Sequence, residues 1–176
     1  YGFWAGHLDV LNSRRDFWPG GVWNPDPDWL MSLRRTLMGP KPVSVTLATD
    51  LSNLTHAEVE QALRYCLFYG VFPTFEAAYW ADEALVARDR DLFHAWIPEI
   101  RSVSEAGWQP VTEVLVLPPG PRVERWGAAP DAAYLTVLNP LTDAWSGVLS
   151  VTAAGLEQDL SVTLAPGETR RIPLNP

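Results

Sequence analysis

The sequence predicts an α/β half followed by an all-β half: the last three βα units of a (β/α)8 barrel, then a small antiparallel β-sandwich. Three observations carry this expectation. Up to Gly107 short strand-like runs alternate with amphipathic helical ones, and after Pro110 only strands and turns follow. The first-half strands set polar faces against apolar ones, with Ser44, Thr46, Ala48 and Asp50 opposite Val43, Val45 and Leu47. An open doubly wound sheet, covered by helices on both faces, would be apolar on both. The chain has 176 residues, short of the roughly 250 of a whole barrel, and opens on Tyr1 rather than Met. Either this sheet stays open or, as the missing initiator Met favours, the earlier strands stand upstream on a longer protein.

The elements follow in order. The first strand is expected over residues 3–11, with Ala5, His7 and Asp9 on one face, and a long loop over 12–25 comes next. Asp26-Pro27-Asp28 then supplies an N-cap, a first-turn proline and an acid that suits the helix dipole. Leu30, Leu33 and Leu37 recur on one face of that helix, and Gly39-Pro40 stops it. The second strand is placed at 43–49. Thr55-His56-Ala57-Glu58 is a capping box, followed at helical spacing by Val59, Ala62, Leu63, Cys66 and Leu67, with Gly70 as the C-cap. A third strand at 71–75 precedes a loop carrying Tyr79 and Trp80. A third helix spans about 91–106, with Leu92, Trp96, Ile100 and Val103 on one face and a kink or fresh start at Pro98.

Gly107-Trp108-Gln109-Pro110 reads as the joint, so the expected units are 1–108 and 111–176. Beyond it, strands are expected at 111–117, 122–126, 133–138, 145–151, 160–165 and 169–174. Asn139-Pro140, Pro119-Gly120 and Pro166-Gly167-Glu168 form the turns. Leu160, Val162 and Leu164 alternate with Ser161 and Thr163, the period of a strand with one buried face.

Composition excludes several function classes. A net charge of −8 with only isolated arginine pairs argues against nucleic acid as a partner. No apolar run reaches the roughly 18 residues of a membrane span. One cysteine permits no intrachain disulfide, and no metal-ligand spacing, glycine-rich phosphate loop or nucleophile elbow is present. The reading includes no metal and no cofactor.

Three acids fall at or just past the strand ends, in phase with the polar faces: Asp9, Asp50 and Glu76. Carboxylates converging at a barrel mouth suit glycoside hydrolysis, where a proton donor and a nucleophile or base flank the bond. These are the expected catalytic residues, against the plainer reading of helix caps and arginine partners. Substrate contacts are expected from His7, Arg14, Trp23, Tyr79 and Trp80, because aromatic rings stack on sugar faces and leave hydroxyls to polar groups. The plainer alternative is that the rings anchor loops and His7 is a hydrogen-bonded pocket histidine. Trp96 and Trp108 are assigned to core and joint, and Trp126 and Trp145 to the β half.

Residues 64–76, the run 88–93 leading into 97–100, and the segment 106–111 resemble bacterial glycoside-hydrolase-like proteins, the first at the entry to their eighth strand. In those proteins a TIM barrel precedes a C-terminal β-sandwich. The resemblance implies carbohydrate as the substrate class and the N-terminal remainder of the same protein as a partner. It supplies no catalytic pair. Two other readings stay open: a non-catalytic carbohydrate-binding module, and a structural or interaction domain.

Overall fold

The computed structural model describes residues 10–15, 28–39, 41–47, 54–75, 77–153 and 155–174. Among them the chain runs β1 (Leu11–Arg15), α1 (Asp28–Met38), β2 (Val43–Leu47), α2 (His56–Tyr69), β3 (Phe72–Phe75), α3 (Ala77–Ala81) and α4 (Glu83–Ala106). Strands follow: β4 (Trp108–Gln109), β5 (Val114–Leu117), β6 (Arg122–Trp126), β7 (Ala133–Leu138), β8 (Trp145–Val151), β9 (Gln158–Leu164) and β10 (Thr169–Leu174).

The barrel expectation is corrected. β1, β2 and β3 form an open three-stranded parallel sheet, no barrel closure occurs among the described residues, and the chain is dominated by antiparallel strands. The polar face of β2 has a simpler explanation than a barrel interior. Thr46 lies opposite Thr74 in β3, and their hydroxyls hydrogen-bond at 2.8 Å. A cross-strand hydroxyl pair satisfies itself and requires no lumen. Residues 11–15, expected at the end of one strand and the start of a loop, are β1 itself. The rest of the expected first strand lies outside the described residues.

The remaining strands make two antiparallel sheets, ordered β10-β7-β6-β4 and β5-β8-β9. Their facing side chains, including Leu135, Val137, Leu149, Val151, Leu164 and Leu174, enclose one core. Trp145 packs there, as its sequence assignment has it. The other core gathers Met31 and Met38 from α1, Val43 and Val45 from β2, most of α2, and Leu92, Ile100 and Val103 from α4. Trp126 of β6 belongs to this core and not to the β half's own. Trp108, expected at the joint, pairs through β4 with β6, so the boundary region is a sheet edge.

α1 buries Met31, Arg35 and Met38, and Leu33 of the expected leucine face is exposed. The reason is electrostatic. Arg35 approaches Glu124 of β6 at 3.2 Å and donates to the Tyr69 carbonyl at 2.5 Å. Its guanidinium also lies 4.8 Å from the Tyr69 and Trp126 ring centres and 5.2 Å from that of Trp108.

α2 begins with the expected capping box. The Thr55 hydroxyl accepts from Glu58 N–H, and the Glu58 carboxylate accepts from Thr55 N–H. Gly70 ends the helix with φ 57°, and its N–H and that of Val71 bond to the Leu67 and Cys66 carbonyls. A Cβ at Gly70 would also run into the Trp126 ring. Gly70→Ala therefore combines left-handed strain with overpacking, and should lower unfolding free energy by about 3 kcal/mol in urea titration. A loss within experimental error would show that Trp126 can step aside.

Candidate functional site

Past the end of β3 the chain makes the short helix α3, which sends neighbouring aromatic rings in opposite directions. Tyr79 is 2% exposed and Trp80 is 52% exposed. Phe75 stacks on Tyr79 with centroids 4.8 Å apart. Trp80 meets Tyr79, Phe75 and Phe93 at 5.2, 5.8 and 5.8 Å. Three rings thus brace one indole whose remaining surface faces solvent. Tyr79 and Trp80, expected on a loop, are helical. The helix is brief, and Asp82 starts α4 directly by accepting from Ala84 and Leu85 N–H.

Beneath Tyr79 lies a buried carboxylate, Asp89, with no exposed side-chain surface. It accepts from Tyr79 Oη at 3.0 Å, from Arg88 Nε and Nη2 at 2.8 and 2.7 Å, and from His56 Nδ1 at 3.0 Å. Arg88 Nη1 donates in turn to the Leu54 carbonyl at 2.8 Å. Burial by itself would raise the Asp89 carboxyl, but the hydrogen bonds from Arg88, His56 and Tyr79 outweigh it and hold the group below the usual aspartate range. The same surroundings push the Tyr79 hydroxyl up, first through burial and then through its bond to Asp89. An ionised carboxylate only accepts, so His56 carries a proton on Nδ1. His56 Nε2 lies 3.6 Å from Asp91 Oδ2, beside a shallow recess that His94 and Arg90 also line. An imidazole oriented by a buried acid can relay a proton, and that is the chemistry this end of the fold offers.

The expected site residues are placed as follows. Asp9, Asp50, Glu76, His7 and Trp23 lie outside the described residues. Arg14 is in β1, opposite Thr46 in β2. Tyr79 is enclosed, with its hydroxyl given to Asp89, and Trp80 alone of the pair presents a surface. Among the described residues no group of three or more His, Cys, Asp or Glu could hold a metal ion, and no helix is long and apolar enough to cross a membrane. The buried Cys66 thiol is pushed up to about 12 by burial, so it is no thiolate near neutrality.

Sequence reasoning missed Asp89, Arg88 and His56 as a unit. A signal existed: Leu85, Asp89, Leu92 and Trp96 share one helical face, so an acid occupies the apolar stripe of α4. Starting that helix at residue 91 hid it. The chain matches no protein-family model, no curated protein and no solved structure.

Removing the Asp89 charge strands Arg88, and Asp89→Asn should cost about 3 kcal/mol by chemical denaturation. Because the folded carboxyl is lowered, its contribution is fully present above the ordinary aspartate value of about 4 and is lost as pH falls through the lower folded value. Melting temperature should drop below about pH 4, with a flatter curve in the Asn variant. Parallel curves for the two proteins would contradict this.

Proposed function

We propose that this chain binds carbohydrate through Trp80, as part of a glycoside-hydrolase-like protein. The observation that carries the reading is the half-exposed indole fixed against Phe75, Tyr79 and Phe93. Sugar faces present C–H surface that a flat ring buries, and a ring immobilised beforehand loses little entropy when it does so. The Asp89 network supports the platform from below, since Tyr79 is held both by its hydroxyl and by its stacked ring. The resemblance of residues 64–76, 88–93, 97–100 and 106–111 to glycoside-hydrolase-like proteins points to the same substrate class. Hydrolysis falls in this reading to the carboxylates expected from sequence. Glu76 leads them, standing in the chain between Phe75 and Ala77 and four residues before Trp80.

Calorimetry against a panel of oligosaccharides tests the binding step. Trp80→Ala should weaken the best ligand by about tenfold, with Trp80→Phe retaining most of the affinity. Equal affinity in all three proteins would end the proposal. For hydrolysis, Glu76→Gln and Asp50→Asn in the full-length protein should each lower turnover at least about a hundredfold. Unchanged turnover in both would remove the carboxylates from the chemistry and leave a binding role.

A further inference from the structure

A cleft of about 240 Å³ opens where α2 meets the β half, lined by Gln61, Arg64, Tyr65, Arg122, Asn139 and Thr169 among others. None of its lining residues is acidic, and two are arginines. The lining itself is cationic, while Glu60 acts with Glu168 on Arg64 and Glu124 acts on Arg122 from outside it.

Both guanidinium groups are held in place. Arg64 is braced by Glu60 at 2.9 Å and lies 5.8 Å from the Trp96 ring centre. Arg122 lies 5.1 Å from the Phe68 ring centre and donates to the Tyr69 hydroxyl. Burial lowers its proton affinity, against the opposing pull of Glu124. A desolvated guanidinium is a strong donor to an oxyanion. The nearby Glu168 accepts from Ala165 N–H at 2.7 Å and from Arg170 at 2.6 Å, and the charge of Arg64 also acts on it.

The wall of the cleft is equally fixed. The Asn139 amide donates to the Asp143 and Ala165 carbonyls at 2.9 and 3.1 Å, and its oxygen accepts from Leu141 N–H at 3.1 Å. Thr169 differs. It is 5% exposed, and its Oγ1 has no hydrogen-bond partner among the described residues. Such a hydroxyl has given up water and gained nothing in return. Thr169 lines the cleft, so a ligand bound there would supply that missing partner. The volume equals about eight waters at ~30 Å³ each, the size of one sugar ring with a substituent.

We propose that this cleft binds a compact polyol carrying an oxyanion, a carboxylate or phosphate on a body of monosaccharide size. Arg64 and Arg122 take the anion, and Gln61 and Thr169 take hydroxyls. The site is separate from Trp80 and does not rest on the reading made for that residue.

Calorimetry with D-glucuronate, glucose 6-phosphate, glucose and inorganic phosphate tests it. At least one charged sugar should bind below about 1 mM, and glucose at least about tenfold more weakly. Which charged sugar binds better identifies the oxyanion. Arg64→Gln should cost about tenfold for the charged sugar and nothing for glucose. Thr169→Val should weaken the same ligand while raising the melting temperature by about 2 °C, because an unpaired hydroxyl is replaced by a methyl. Trp80→Ala should leave these affinities unchanged. The proposal is overturned by no binding of either charged sugar up to about 10 mM, by equal binding of glucose, or by inorganic phosphate matching glucose 6-phosphate. A lower melting temperature for Thr169→Val would overturn it too, since the hydroxyl would then have a partner in the fold.

Discussion

The end of α2 is where this structure is decided. A helix leaves its last four carbonyls without internal partners, and each must be satisfied if the end is buried. Here Cys66 and Leu67 are answered within the turn by Val71 and Gly70. The Phe68 carbonyl accepts from the Thr136 hydroxyl of β7 at 2.8 Å, and that of Tyr69 accepts from Arg35 of α1. Thr136 Oγ1 in turn accepts from the Trp126 indole N–H at 2.9 Å. One helix terminus thereby fastens α1, β6 and β7 together, and the rings of Tyr69 and Trp126 close over the junction.

Two buried charges share a logic. Arg35 and Asp89 each occupy the apolar stripe of a helix, and each is matched by groups arriving from elsewhere in the chain. A buried ion is tolerated only with its partners in place, so both positions demand a particular tertiary arrangement and reject sliding alternatives. They act at different places. Arg35 holds α1 against the β half, while Asp89 holds α4 against the start of α2 and the aromatic floor under Trp80. Arg171 of β10 adds an outer tie, meeting Glu99 of α4 at 2.6 and 3.2 Å.

Local signals were the legible ones. Thr55, Glu58 and Gly70 mark the two ends of α2 because capping is chemistry between near neighbours in sequence. β6, β7, β8 and β10 lie at the bounds expected from runs set between turn residues. What eluded the sequence was settled by distant partners. Leucines drew attention away from Met31, Arg35 and Met38 because Glu124, which makes Arg35 burial possible, is 89 positions further along. A polar strand face suggested a lumen because Thr74 could not be known to stand opposite Thr46. For the candidate site, Trp80 was visible as an aromatic beside a strand end, whereas the Asp89 support depends on three elements meeting.

That Trp126 lies in the helical core, while its own strand belongs to the β half, has a further consequence. The seam between the halves is not a surface that either could present alone. A β half grafted onto another scaffold would carry a bare indole and a Thr136 hydroxyl that keeps the Trp126 donor but loses the Phe68 carbonyl as acceptor, so a graft would have to take α2 along with it.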